Sequence, residues 1–159
     1  MFQVVLFQPE IPPNTGNIIR LCANSGCVLH LVKPLGFDLE RRAVRRAGLD
    51  YDELAEVQVH SSLEACLRGL PGARVYCVET SGSRRYSEAA FAAGDVLMFG
   101  PETRGLPAAV IERFPSERRI SVPMRPGSRS INLSNTVALV VYEAWRQNGF
   151  AGAVSQPPI

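Results

Sequence analysis

Three short stretches of this 159-residue chain gather residue types that could do chemistry. The first, MRPGSRSINLSN at 124–135, is crowded with Ser128, Ser130, Asn132, Ser134 and Asn135. Hydroxyls and amides at that density suit recognition of a ligand rich in hydrogen-bonding groups, and equally suit an ordinary loop entering a helix. The second, FGPETRG at 99–105, carries Glu102 and Arg104. Glu102 could act as a general base, but no second titrating group stands beside it in sequence. Pairing with Arg104, or a bond that holds the turn, is the nearer role. The third, PPNTGNIIRLC at 12–22, sets Asn14, Asn17 and Arg20 among apolar neighbours. Arg20 is either a flank residue that snorkels to water or a cation aimed at a site, and its guanidinium stays charged throughout the ordinary pH range.

Other chemistries find no motif. The chain has no GxxxxGK[ST], and no GxGxxG between a strand and a helix, so a P-loop or dinucleotide fingerprint is excluded. A nucleotide-like cofactor would have to sit beyond strand ends near Val78, Phe99 and Val122, where Gly100 lets a backbone approach closely. No metal is expected, because His30 and His60 are the only histidines and neither stands at ligand spacing from a cysteine pair. Cys22, Cys27, Cys66 and Cys77 lack CxxC spacing and read as buried, reduced thiols of a cytosolic protein.

A net charge of +2 demands no nucleic-acid partner, so the placement of the charges matters more. Arg41, Arg42, Arg45 and Arg46 recur at three- and four-residue spacing on one face of a helix that Asp38 can cap. Arg84-Arg85, Arg118-Arg119, Arg125 and Arg129 add further patches. Such runs are either a solvated face or phosphate contacts. Tyr51, Tyr86 and Tyr142 could stack on bases or be buried.

The elements that must position these residues alternate. Strands are expected over 2–7, 28–32, 57–59, 74–78, 96–99 and 119–122. Helices are expected from a cap near Asn14 or Thr15 to Gly26, over 38–47, and from a Ser61/Glu64 capping box to Gly69. A short one follows Pro107, and the last runs over 136–147 and stops at Asn148-Gly149. That last helix is apolar almost all round, which predicts burial on more than one side. The pattern implies an α/β protein whose mostly parallel sheet is covered by helices on both faces. One domain over 1–150 is expected, with a loose tail over 151–159. No apolar run is long enough for a membrane helix, and MFQVVLFQP lacks the basic leader of a signal peptide.

Taken in order, PPNTGNIIRLC, FGPETRGLP and RSINLSNTVALVVYEAWRQ resemble the three motifs of the SPOUT superfamily, and within it the SpoU class of RNA ribose 2'-O-methyltransferases. The resemblance spans 2–150, and AGLDY at 47–51 is similar to the small single-domain members that methylate the wobble cytidine or uridine of tRNA. It implies S-adenosylmethionine as cofactor, a homodimer in the cytoplasm, and a C-terminal trefoil knot that general topology would disfavour. By matching position it implies Val78, Thr80, Gly100, Val122, Met124, Ser130 and Leu133 as cofactor contacts. Arg20 becomes the catalytic candidate, with Asn14 and Asn135 positioning the ribose hydroxyl or phosphate and Glu102 and Arg104 in support. Arg41, Arg42, Arg45, Arg46, Arg84, Arg85 and Arg129 become RNA contacts. The motifs encode cofactor and chemistry but not the shape of the substrate. Another tRNA position, ribosomal RNA, or a non-catalytic RNA-binding module therefore stay open as alternatives.

Overall fold

The structure, a computed structural model, describes residues 1–39 and 56–154. Seven strands form one sheet: β1 (Gln3–Phe7), β2 (Val28–Val32), β3 (Val57–His60), β4 (Val75–Val78), β5 (Arg84–Arg85), β6 (Val96–Phe99) and β7 (Arg119–Ser121). Their order is β3-β2-β1-β6-β4-β7-β5, and every neighbouring pair is parallel. The helices are α1 (Pro12–Ser25), α2 (Leu63–Arg68), α3 (Ala108–Ile111) and α4 (Leu133–Gln147). The central strands β4 and β6, VYCV and VLMF, are buried at every residue. That is the mark of a parallel sheet with both faces covered.

Alternation along the strands divides the interior in two. Val4, Leu6, Leu29, Leu31, Leu97, Phe99 and Ile120 pack with Ile18, Ile19 and Cys22 of α1 and Val137, Val140, Val141 and Ala144 of α4. Val5, Phe7, Val32, Val75, Cys77, Val96 and Met98 form a second core with Leu63 and Cys66 of α2 and with Leu106. At the amino ends of β4 and β6, Arg74 grips Asp95 through two hydrogen bonds of 2.9 and 2.7 Å. The carboxyl ends are left to loops.

Three helix starts depart from expectation. α1 begins at Pro12, because prolines in a first turn give up amide protons that have no intrahelical partner anyway. Its stop at Gly26 is as expected, with φ 70°. In α2 the cap is Ser62 and not Ser61, since the Ser62 hydroxyl accepts the Ala65 N–H at 3.1 Å. α4 starts at Leu133, ahead of the expected 136, because Asn132 Oδ1 accepts the N–H groups of Ser134 (2.9 Å) and Asn135 (3.4 Å). Within this chain α4 buries one face only. Leu139 and Tyr142 remain 42% and 44% exposed.

β5 was not expected, and its two exposed arginines carry no hydrophobic pattern. It exists because β7 offers an edge: β7 lies between β4 and β5, so 79–83 must cross it. Gly82 makes the crossing, and a β-carbon there would collide with the Ile120 carbonyl and Ser121 N. The expected basic helix over 38–47, with Arg41, Arg42, Arg45, Arg46 and Tyr51, lies outside the described residues apart from its start. Trp145 Nε1 donates to Ala151 O at 3.0 Å, which anchors the chain just past 150. All four cysteines are buried and unpaired. Among the described residues no helix is long and apolar enough to cross a membrane.

Candidate active site

A pocket of about 720 Å³ opens beyond the carboxyl ends of β4, β6 and β7, three neighbours in the sheet. Its volume falls in the range of small-molecule sites, and its place is where open α/β sheets bind ligands. β4 contributes Val78 and then Glu79, Thr80 and Ser81. From β6 come Phe99, Gly100 and the loop 101–106, while the chain beyond β7 adds Val122 and Met124. The loop 129–133 and the entry to α1, with Ile11 and Asn14, complete the wall.

All seven residues expected as cofactor contacts line this one pocket: Val78, Thr80, Gly100, Val122, Met124, Ser130 and Leu133. Asn14, Glu102, Arg104 and Arg129 line it too. Arg20, Asn135, Arg84 and Arg85 do not. Arg20 is exposed on α1, where helical periodicity turns it about 120° from Asn14. Asn135 is exposed, with its N–H given to the Asn132 cap.

Hydrogen bonds between distant segments hold the wall. Asn132 Nδ2 donates to Asn14 Oδ1 (3.0 Å), and Asn14 Nδ2 donates to Glu102 Oε1 (3.3 Å). The Glu102 carboxylate also accepts the backbone N–H of Glu10 (2.8 Å) and of Ile11 (3.0 Å). A second latch runs the other way. The Glu10 carboxylate accepts the Thr103 N–H at 3.2 Å and its hydroxyl at 2.8 Å. Three segments that meet nowhere in sequence are thus locked edge to edge.

This network revises two expectations. Asn14 is 6% exposed, accepts from Asn132 at Oδ1 and gives one amide N–H to Glu102, so it positions the pocket wall. Glu102 has the structural role expected of it, but its partner is the loop ahead of α1. Arg104 turns instead to Glu10, at 3.7 Å, and to Gln8 Oε1, at 3.4 Å. Gly100 also has a reason beyond ligand approach. A β-carbon on it would strike the backbone of Gly105 and Leu106, so the loop could not double back to close the pocket.

Among the pocket residues given no site role in the sequence are Asn132 and Glu79. Asn132 both caps α4 and anchors the network, and its signal was an asparagine directly before the greasy helix. Glu79 stands half-buried on the wall directly after β4; burial pushes its carboxyl above the usual range, and Arg119 opposes that in part. Arg84 and Arg85 are exposed on the edge strand, and Arg129 is exposed on the pocket rim.

The chain belongs to the SpoU rRNA Methylase family, which it matches over residues 1–142. It is similar to the tRNA (cytidine(34)-2'-O)-methyltransferase of Methylovorus glucosotrophus, at 60% identity over 97% of this chain and 100% of that protein. The enzyme of the same description from Aeromonas hydrophila is 55% identical over 98% of this chain and 100% of its own. A solved structure concerned with 2'-OH methylation of C/U34 on tRNA superposes with a TM-score of 0.87, at 46% identity over 94% of this chain and 97% of that one.

Proposed function

We propose that this chain transfers a methyl group from S-adenosylmethionine to the ribose 2'-hydroxyl of nucleotide 34, cytidine or uridine, of tRNA. The observation that carries the reading is the pocket: all seven expected cofactor contacts converge on it, in a chain alike end to end to enzymes of that description. The site suits the cofactor. It has the volume, walls of loop backbone at strand ends, and a half-buried carboxylate, Glu79, to face a cationic ligand.

When bound, the cofactor supplies an electrophilic methyl on a sulfonium. The protein's own part is alignment and electrostatics. The Asn132–Asn14–Glu102 chain holds the pocket walls at fixed separation. Arg20 stays charged, grips the phosphate beside the target nucleotide and favours the anionic form of the 2'-hydroxyl, whose proton passes to solvent. Because Arg20 stands on the outer surface of α1, it meets the ribose only when the RNA, or a second protomer's pocket, comes to that surface.

A homodimer accords with the uncovered face of α4, where Leu139 and Tyr142 await a partner. Arg84, Arg85 and Arg129, together with Arg41, Arg42, Arg45 and Arg46, supply the phosphate contacts. We read 1–150 as one cytoplasmic domain with a C-terminal trefoil knot, a reading supported by the chain between β4 and β5, which crosses β7 at Gly82.

The test is single-turnover methylation of purified tRNA with saturating cofactor, read by site-resolved mass spectrometry. Wild-type protein should place one methyl on ribose 34. Arg20→Ala should lose about 10²-fold or more in rate while cofactor affinity stays unchanged. Methylation at another nucleotide would replace the substrate assignment, and a wild-type rate in Arg20→Ala would remove that residue from the mechanism.

A further inference from the structure

On the face of the sheet covered by α2, the fold assembles a group that residue spacing concealed. His30 lies on β2, His60 ends the neighbouring β3, and Cys66 projects from α2. One ligand-capable atom from each falls within 4.8 Å of the others, the only such group among the described residues. None of the three lines the cofactor pocket.

The pair is arranged as metal-binding histidines are. His30 Nε2 stands 2.7 Å from Gln3 Oε1, and an amide oxygen only accepts, so Nε2 carries the proton. That fixes the tautomer and leaves a lone pair on His30 Nδ1, aimed at His60 Nε2 at 3.0 Å. An outer partner that orients a ligand imidazole in this way is the usual second shell of a metal site. Two nitrogens bound to one tetrahedral zinc at about 2.0–2.1 Å stand roughly 3.3 Å apart, so the two rings need part by only a few tenths of an ångström. Cys66 is fully buried and adds the soft third ligand, while His60 is partly exposed and opens a path from solvent.

We propose that His30 Nδ1, His60 Nε2 and Cys66 Sγ form a structural binding site for a zinc-class transition-metal ion, with water as the fourth ligand. On binding, the proton on His60 moves to Nδ1, the Cys66 S–H bond breaks, a sulfur–metal bond forms, and one proton leaves to solvent for each ion. Two neutral imidazoles and one thiolate suit zinc or cobalt(II) and disfavour magnesium and calcium, which seek oxygen. The ion would staple β2, β3 and α2 at the margin of the sheet. It would hold the two ends of the segment that carries Arg41, Arg42, Arg45 and Arg46, without taking part in methyl transfer.

The probe is cobalt(II), titrated without oxygen into the metal-stripped full-length chain, then displaced with zinc. Expected are one equivalent bound, a thiolate-to-cobalt charge-transfer band with ligand-field bands of four-coordinate strength, and displacement by zinc with Kd below about 10 µM. Cys66→Ser should abolish the charge-transfer band, and Cys22→Ser should retain it. His60→Gln, at a partly exposed position that tolerates change, should weaken binding at least 10-fold and erase the rise in Tm that zinc gives the wild type. Absence of the band in wild type, its persistence in Cys66→Ser, or unchanged affinity in His60→Gln would each overturn the site and leave a hydrogen-bonded histidine pair.

Discussion

The two faces of the sheet use the same strands and end up with different chemistry. One face lies beneath α1 and α4, helices of 14 and 15 residues, and the other beneath α2 and α3, of 6 and 4. Long helices lay continuous aliphatic stripes, Ile18, Ile19 and Cys22 from one and Val137, Val140, Val141 and Ala144 from the other. Their amino ends then present Asn14 and Asn132 to the pocket. Short helices cover less ground, and on their face an imidazole enters the interior as His30, close to Cys66. Polar groups on the first face are spent on locking loops together. Those at the β2–β3 margin form a closed local chain that ends on Gln3 and opens to solvent at His60. Rigidity at the pocket therefore comes from contacts between loops, whereas the second face should tolerate change without disturbing the cofactor.

That contrast can be broken in four places. The largest effect belongs to Gly100→Ala, whose β-carbon meets the backbone of Gly105 and Leu106. Cofactor affinity should fall at least 10-fold by calorimetry, with a loss of stability of about 2–3 kcal/mol from the strained loop. Next is Asn132→Ala, which removes the cap of α4 and the hydrogen bond that engages Asn14 Oδ1. Denaturant unfolding should show a loss of about 1–2 kcal/mol, and single-turnover methylation should slow roughly 10-fold as the wall loosens. An Asn132→Ala protein with undiminished turnover would show that the network does not set the pocket geometry.

Cys77→Ala probes the second face. Cys77 is fully buried there, so losing its sulfur should cost about 1 kcal/mol in stability and leave cofactor affinity within error. A clear loss of cofactor binding would erase the distinction between the faces. The smallest effect is that of Glu79→Gln. Burial raises the folded-state pKa of Glu79 above its ordinary value of 4.5, so the folded chain holds this proton more tightly than the unfolded one. Its charge therefore lowers stability above that window, and the penalty fades as pH falls toward 4.5. Glu79→Gln should be slightly more stable than wild type at pH 8, with the difference shrinking as pH falls toward 4.5. It should also bind the cationic cofactor a few-fold more weakly while binding the neutral demethylated product almost as before. Equal losses for both ligands would place the carboxylate away from the sulfonium.

Much of the scaffold was legible because burial leaves a local imprint. The runs that became β4 and β6 are apolar at consecutive positions, β1 is so after Gln3 and β2 apart from His30, and the stripe of α4 recurs with helical period, so strand and helix could be assigned from neighbours alone. The strand-end residues Val78, Gly100 and Val122 were legible too, because parallel strands send the residues at and after their carboxyl ends to one edge of the sheet, whereas Ser130 and Leu133 were implied only by the resemblance. β5 was not, since two exposed arginines have no pattern and become a strand only when β7 arrives beside them. The cap at Ser62 and the start of α4 after Asn132 were misplaced by a residue or more because several serines and asparagines compete at each helix start, and backbone geometry chooses among them.

What the sequence determined by itself was the layering of this protein: which segments are strands, which are helices, and which strand ends border the pocket. The tertiary structure alone decided the partners of the polar groups. Glu102 reaches a backbone 92 residues away, Asn132 an amide 118 residues away, and His30 a second histidine 30 residues on. Hydrophobic periodicity records only whether a side chain turns inward. A hydrogen bond or a metal site depends on atoms meeting within about 3 Å, and that meeting is set by how the strands are ordered and the loops cross.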